Sequence, residues 1–163
     1  MIDAIGDQSS PEYNQIKGEN LFLRAMVHFQ LVNIFGRPYV QSPQENLGVP
    51  IVDFADVNKR PERATVAEVY DFIVSDLKQA ASLMTQQKNS SFASTEAAYA
   101  LLSRVYLYME ENQLEKEYAN KVIDSQRYQL VDTETFRNYF TLINENNPET
   151  IFAIKHTEEN DHG

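Results

Sequence analysis

The stretch GENLFLRAMVHFQLVNIFG, from Gly18 to Gly36, decides the fold of this chain. Its apolar residues recur at helical spacing on two faces, so we predict one long, central helix that is packed on two sides. The first face carries Leu23, Met26, Val27, Leu31 and Ile34, and the second carries Phe22, Ala25, Phe29 and Val32. We expect a left-handed turn at Gly36, which has no Cβ to oppose it, and Pro38 prevents the helix from continuing.

Composition limits both the class of protein and its partners. With 163 residues, 42% of them hydrophobic and 23% charged, the chain is typical of one globular domain. A net charge of -10 disfavours binding of DNA or RNA. The absence of cysteine excludes disulfides and thiolate metal sites. No apolar run is long enough to span a membrane, and no signal-peptide pattern follows Met1.

Three further helices are predicted after a long connection. Prolines interrupt the 29 residues from 36 to 64, where only Val49–Phe54 resembles an extended piece, so this segment is either a functional loop or part of a larger context. Thr65 and Glu68 stand at the spacing of a capping box at the start of the second helix. The third helix begins at Ser94 or Thr95. A short link then leads to a fourth helix, which must pack antiparallel to the third.

Apolar side chains at steps of three and four residues define the inward face of each of these helices. Those of the second helix are Val66, Val69, Tyr70, Ile73, Leu77, Ala80 and Met84. Those of the third are Ala97, Ala98, Leu101, Leu102, Val105, Tyr106 and Met109. Those of the fourth are Leu114, Tyr118, Ala119, Val122 and Ile123. Beyond the fourth helix, residues 128–131 and 150–154 are predicted to be extended, with Phe136, Tyr139 and Phe140 on a helical turn between them.

The third helix also carries a repeat pattern. Tyr99, Leu102, Ser103 and Tyr106 have the spacing of the first helix of a tetratricopeptide repeat, and Ala119 supplies the small residue of the second helix if the turn is lengthened. Residues 94–126 are therefore predicted to form one irregular repeat, and the first two helices another. The predicted fold is all-α, with tetratricopeptide-like antiparallel helix pairs, a long inserted loop and a few short extended segments.

Six segments in sequence order resemble the SusD/RagB family. They are GENLFLRAMVHFQLVNIFGRPY (18–39), GVPIV (48–52), PERATVAEVYDFIVSDLKQA (61–80), TEAAYALLSRVYLYM (95–109), ANKVI (119–123) and ETIFAI (149–154). The resemblance implies a tetratricopeptide-like fold and a lipoprotein at the surface of the outer membrane. It also implies a non-catalytic role in polysaccharide utilisation, in which a glycan or another nutrient is held for a SusC-like, TonB-dependent transporter.

The resemblance also sets expectations about the extent of the domain. Family members are several times longer, so we expect residues 1–163 to be a single tetratricopeptide-like domain from a longer protein. The lipidated cysteine of the family does not occur here, so membrane association is expected only through a lipid anchor that this chain does not contain. We expect no cofactor, and exposed apolar surface is expected to permit self-association. The alternative is a tetratricopeptide-type protein-interaction scaffold that binds no sugar.

Sugar-contact candidates lie in the long connection. Tyr39 and Phe54 could stack on sugar rings, and Arg37 and Asn46, with Asn58 and Arg60 near them, could meet hydroxyl groups. The competing interpretation, which we favour for the two rings, is that they fasten the loop to the helices. Tryptophan, the ring best suited to stacking on sugars, is absent. We therefore expect little glycan binding by this chain alone.

Other polar residues are interpreted structurally. His28 lies within the apolar helix without other histidines or cysteines at ligand spacing, so a packed core role is favoured over metal binding. Asp76 and Arg104 could form an ion pair across the packing seam. His156 and His162 belong to a polar tail, and Glu110, Glu111, Glu115 and Glu117 to a solvated turn. No nucleophile elbow, phosphate loop or metal motif supports an enzyme.

Overall fold

The computed structural model describes residues 10–53, 56, 58, 60–141 and 147–155, and this part of the chain is mostly helical. The helices are α1 (Pro11–Phe35), α2 (Val66–Leu83), α3 (Thr95–Tyr108), α4 (Asn112–Asp124) and α5 (Thr133–Arg137), followed by a 3₁₀ turn, Tyr139–Thr141. Two strands, β1 (Leu47–Pro50) and β2 (Arg63–Thr65), form an antiparallel ribbon. The predicted all-α, tetratricopeptide-like class is confirmed.

Helix α1 begins at Pro11, well before the predicted start at Gly18. Ser10 caps the helix, because its hydroxyl oxygen accepts the N–H of Tyr13 at 3.1 Å, and Pro11 occupies the first position, where no N–H is needed. Gly18 is therefore an interior residue of α1. A Cβ at Gly18 would lie 2.6 Å from Cγ of Met84, so this glycine lets the end of α2 approach closely.

The predicted left-handed turn at Gly36 is wrong. Its backbone is extended, with φ −98° and ψ 174°, and its N–H donates to the carbonyl of Val32 at 2.8 Å. A Cβ at Gly36 would lie 2.6 Å from that same carbonyl oxygen. Glycine is required here because the backbone of Gly36 lies too close to the carbonyl of Val32 to leave room for a Cβ. A positive φ plays no part.

Only one of the two apolar faces of α1 is covered by the described residues. Phe22, Ala25, Phe29 and Val32 are buried, and α1 packs mainly against α2. On the other face Leu23 is 43% exposed, Val27 47% and Ile34 70%. Met26 and Leu31 on that face are half-buried, so within the described residues the predicted packing on two sides is met only in part. The physical reason is that α3 packs against α2 and α4 and touches α1 only marginally.

Helix α2 is the centre of the core. The predicted capping box is confirmed: the hydroxyl of Thr65 accepts the N–H of Glu68 at 3.2 Å, and the carboxylate of Glu68 accepts the N–H of Thr65 at 2.8 Å. All of the predicted inward side chains of this helix are buried. Because α2 packs against both α1 and α3, and α3 pairs with α4, the two helical hairpins share one core.

The remaining predictions of local structure divide between right and wrong. In α4, Tyr118 is buried, but Ile123 is 70% exposed, so its predicted inward orientation is wrong. The predicted extended piece at residues 49–54 overlaps β1, whereas its partner β2 was not predicted. Residues 128–131 and 150–154 are irregular instead of strands, and α5 lies between them as the predicted helical turn.

Candidate functional site

Tyr39 belongs to the insertion between α1 and α2 and packs onto the core. Its half-buried ring lies 4.7 Å, centroid to centroid, from the ring of Tyr70, which is fully buried. Burial, together with two neighbouring tyrosines, raises the pKa of Tyr70 to about 12. Burial also raises the pKa of Tyr39, and the negative charges of Asp71 and Glu111 raise it further. These contacts are those that a loop-fastening ring requires, and they leave only part of the Tyr39 ring accessible.

Asn46 likewise makes contacts inside the insertion. Its side-chain amide donates to the carbonyl of Gln41, and its own backbone carbonyl accepts the N–H of Val66 at 2.9 Å, at the start of α2. One donor of the amide is therefore committed to the shape of the loop. Asn46 is half-buried, so only part of the residue is open to a ligand.

The other candidates of the insertion are more open. Arg37 directly follows the end of α1 and is exposed, as are Asn58 and Arg60. Phe54 lies outside the described residues. Of the three predicted sugar-contact residues that the structure describes, Arg37 has an exposed side chain, while Tyr39 and Asn46 both contribute to the loop structure.

Arg63 ties the two ends of the insertion together. Its Nε donates to the carbonyl of Gly48 at 2.7 Å, and its Nη2 donates to the carbonyls of Leu47 and Phe35, both at 3.1 Å. One guanidinium therefore holds β1 and the last turn of α1. The sequence analysis missed this residue; the available signal was an arginine just before the capping box, since guanidinium groups suit unsatisfied carbonyls at a helix end.

A second arginine fastens the insertion to both long helices. Arg24 on α1 donates to the two carboxylate oxygens of Asp76 on α2 at 2.7 and 2.8 Å, and to the backbone carbonyl of Asp53 at 2.8 Å. The hydrogen bond to Asp76 raises the pKa of Arg24, although burial opposes it. The expected pair of Asp76 with Arg104 is wrong, because Arg104 is exposed on α3 while Arg24 faces Asp76 across the α1–α2 seam.

His28 also contacts the insertion. Its Nδ1–H donates to the carbonyl of Arg24 at 2.8 Å, which leaves Nε2 to accept the N–H of Val52 at 3.3 Å. The ring is buried and lies edge-on to Phe72, 5.0 Å between centroids. The predicted packed, hydrogen-bonded role of His28 is confirmed, and its partner in the insertion is a feature that sequence spacing alone did not reveal.

The repeat residues of α3 and α4 meet around Tyr118. Its ring stacks on that of Tyr106 at 5.5 Å and lies 5.8 Å from that of Tyr99, while Nζ of Lys121 is 4.4 Å from its centroid. Leu102 and Tyr106 are buried, and Tyr99, Ser103 and Ala119 are half-buried. The pattern thus lies in the α3–α4 seam.

An apolar groove runs between α1, α3 and residues 149–152. Its volume is about 590 Å³, and it contains the edge of the α1 face that no described residue covers. Phe152 closes one end, with its ring 5.0 Å from that of Phe22, whereas Ile34 and Tyr108 remain 70% and 48% exposed. This groove is an apolar concavity beside α1, and it is a surface for a helix or another apolar segment.

Neither catalysis nor metal binding is favoured by the geometry of the described residues. Glu110, Glu111 and Glu117 are exposed around the α3–α4 turn, and Glu115 is half-buried. The residues that the structure describes contain no group of three histidine or acidic side chains placed to hold a metal ion. His156 and His162 lie outside them. No helix within the described ranges is long and apolar enough to cross a bilayer.

Known structures show the same fold. A SusD superfamily protein from Bacteroides thetaiotaomicron is 36% identical, with a TM-score of 0.89 over 99% of this chain. A SusD superfamily protein from Bacteroides vulgatus is 30% identical, with a TM-score of 0.84 over 95% of this chain. This chain spans 36% of the length of each. A laminarin-binding SusD-like protein, 23% identical with a TM-score of 0.74 over 93% of this chain and 32% of its own, shares the fold.

Sequence comparison identifies the family. No curated protein matches the chain. A family model of SusD-like proteins, described as starch-binding and associating with the outer membrane, matches residues 1–107. Because this match covers well over half of the 163 residues, the chain belongs to the SusD-like family.

Proposed function

We propose that this protein is a non-catalytic, glycan-binding accessory component of an outer-membrane uptake system. The observation that carries the proposal is the family match over residues 1–107, whose description is starch binding in association with the outer membrane. The laminarin-binding neighbour supports the same class of ligand, since it shares the fold. In this proposal the chain acts at the cell surface and passes its ligand to a SusC-like, TonB-dependent transporter.

Residues 1–163 act, in this proposal, as one tetratricopeptide-like domain, and the insertion is its ligand-facing part. Arg37 supplies exposed N–H donors for sugar hydroxyls, and the accessible edge of Tyr39 supplies an apolar surface. Asn46 contributes its remaining donor, and Phe54 a further ring. Since Tyr39 and Asn46 also hold the loop, we expect their substitution to lower stability as well as affinity, whereas substitution of Arg37 affects affinity alone.

A titration with oligosaccharides tests the ligand and its location together. Maltooligosaccharides and laminarioligosaccharides are added to the labelled chain, and amide chemical shifts are followed, because NMR registers millimolar affinities that give little heat in calorimetry. We expect Arg37→Ala to weaken binding and Arg137→Ala, an equally exposed arginine on α5, to leave it unchanged. Equal effects of the two substitutions would remove the insertion from the proposal.

The transporter is tested separately. A SusC-like, TonB-dependent transporter from the same genome is co-expressed with this protein, and the two are isolated from outer membranes by a tag on either one. Recovery of a stoichiometric complex supports the proposed system. A transporter that is recovered without this protein, from membranes in which both are abundant, counts against it.

The apolar groove favours a second candidate, a protein-interaction scaffold that binds no sugar. An exposed face of α1 beside a groove of about 590 Å³ is a surface for an amphipathic helix or for a second copy of this chain. Sedimentation at micromolar concentration distinguishes these possibilities from glycan binding: we expect self-association that Ile34→Ser reduces. A strictly monomeric chain that binds oligosaccharides would eliminate this candidate.

A further inference from the structure

A small polar pocket lies apart from the insertion, between the α2–α3 connection and the segment after residue 146. Its volume is about 230 Å³, and three stretches of chain form it, residues 88–94, 127–128 and 147–151. Backbone hydrogen bonds hold these stretches together. The N–H of Ala153 donates to the carbonyl of Ser90 at 2.8 Å, and that of Gln129 donates to the carbonyl of Pro148 at 3.1 Å. The shape of the pocket is therefore fixed by three hydrogen-bonded stretches of chain and does not depend on a single loop.

Two cationic side chains line this pocket, although the chain carries a net charge of -10 and each of the two is paired with a carboxylate. Lys88 and Arg127 line it, and no acidic residue is among the described residues that do. Each cation is held from outside the pocket by a carboxylate, Lys88 by Glu19 and Arg127 by Glu96. Because an ammonium has three donors and a guanidinium five, both cations retain N–H groups for a ligand while their positions are fixed.

Aromatic and uncharged polar side chains complete the lining. The ring of Phe92 is 45% exposed, and Nζ of Lys88 lies 4.7 Å from its centroid. Tyr128 is half-buried, with Cζ of Arg127 6.0 Å from its ring centroid. Asn89, next to Lys88, is exposed and adds an amide. A ring beside fixed cations and an amide matches a ligand with one apolar face, several hydroxyls and one negative charge.

We propose that this pocket binds a single sugar unit that carries a carboxylate, such as a terminal uronic acid of a glycan. The carboxylate pairs with Arg127 and Lys88, the apolar face of the sugar lies against Phe92, and its hydroxyls meet Asn89. A free inorganic anion would use only the two cations and leave the ring without a contact. This inference rests on the proposed glycan-binding function and assigns it a ligand class and a second site.

A titration of the labelled chain with free monosaccharides tests the proposal. Galacturonate and glucuronate are compared with galactose and glucose, and with acetate and phosphate as simple anions, while amide shifts of residues 88–94 and 127–128 are followed. We expect a Kd on the order of 1 mM for the uronates, since a single sugar has few atoms with which to bind. The neutral sugars and the simple anions are expected to bind at least roughly tenfold more weakly.

Variants locate the site. Arg127→Gln and Phe92→Ala should each weaken uronate binding by about tenfold, while Arg137→Gln, the same change at an exposed arginine outside the pocket, should not. Circular dichroism and thermal unfolding confirm that each variant is folded, and Phe92→Ala serves if Arg127→Gln destabilises the chain. Equal affinity for acetate and uronate, or binding that none of the pocket substitutions reduces, overturns the proposal. If no uronate binds at the pocket while oligosaccharide binding at Arg37 is intact, this inference is refuted and the proposed function stands.

Discussion

The two helical hairpins are joined and fastened in opposite ways. Helices α1 and α2 are separated by a long insertion, and polar groups of α1 attach that insertion: Arg24, itself paired with Asp76 of α2, donates to the carbonyl of Asp53, and His28 accepts the N–H of Val52. Helices α3 and α4 are joined by a turn between Tyr108 and Asn112 and are held by stacked rings. The insertion of the first hairpin is therefore held by a few directional contacts between residues far apart in sequence, although α1 and α2 themselves share the apolar core, whereas the second hairpin is held by local packing.

This difference separates the part of the molecule whose residues can vary from the part that holds its shape. A loop held by hydrogen bonds can change its residues between those contacts without loss of the core, whereas stacked rings in a helical seam tolerate little change. The insertion is accordingly a part of the molecule whose residues can vary without loss of the core. The α3–α4 seam is expected to respond to substitution as a hydrophobic core does.

The largest expected loss of stability comes from removing the ring at the centre of the second hairpin. Tyr118→Ala removes stacking on Tyr106 and Tyr99 from a side chain that is only 8% exposed, and should lower the free energy of unfolding by about 3 kcal/mol. Urea unfolding followed by circular dichroism measures it. Ile123→Ala, on the same helix but 70% exposed, should change the value by less than about 0.5 kcal/mol. Similar losses for both would mean that the orientation of α4 is wrong.

The first hairpin is tested by breaking its ion pair. Asp76→Asn leaves the charge of Arg24 without its carboxylate and should cost about 2 kcal/mol, less than a fully buried pair because the Arg24 side chain is 29% exposed. Asp71→Asn, exposed on the same helix, is the control. In the double variant Arg24→Met with Asp76→Leu, stability should partly return, since no charge is then unpaired. Hydrogen exchange near Asp53 should accelerate in the single variant, and unchanged exchange there would argue against a fastening role.

Sequence patterns predicted what is local and missed what is distant. The capping box of Thr65 and Glu68 and the buried face of α2 follow from spacing within a few residues, and both are confirmed. The predicted partner of Asp76 was wrong because helical periodicity shows which residues share a face of one helix, but not which other helix packs against that face. Exposure of Ile34 was missed for the same reason. The residues predicted to contact sugar remain a proposal, because stacking and loop fastening require the same kinds of residue.

Arg63 offers a test of how the ends of the insertion are held. Arg63→Met keeps the length of the side chain but removes its bonds to the carbonyls of Phe35, Leu47 and Gly48, so stability should fall by about 1 kcal/mol. Arg60→Met, three residues earlier and exposed, removes the same charge without these bonds. Urea unfolding of the two variants compares them. If Arg60→Met costs as much, the charge and not the carbonyl contacts of Arg63 would be responsible.

The smallest expected effect concerns the pH dependence of the α2 capping box, at the junction of the insertion and the helix. Hydrogen bonds from the backbone and side chain of Thr65 hold the pKa of Glu68 below its ordinary value of 4.5. A lowered pKa in the folded state stabilises the protein fully above the unfolded value, and this contribution is lost as the pH falls through the lowered one. Glu68→Gln should therefore be slightly less stable than the unsubstituted chain at pH 7.

The difference should begin to shrink as the pH falls through about 4.5 and disappear below the lowered pKa of the folded state, where the carboxyl group is protonated in both states and resembles the amide of Gln. Urea unfolding at a series of pH values from 7 to about 3 measures it, and the carboxyl group of Asp132, whose pKa is also lowered, cancels because both chains contain it. Glu62→Gln removes the same charge just before β2, outside the capping box, and is the matched control for the loss of a carboxylate. A gap between Glu68→Gln and the unsubstituted chain that stays constant across the series would mean that the charge of Glu68 does not contribute through the cap, and that the junction is held by Arg63 and the core alone.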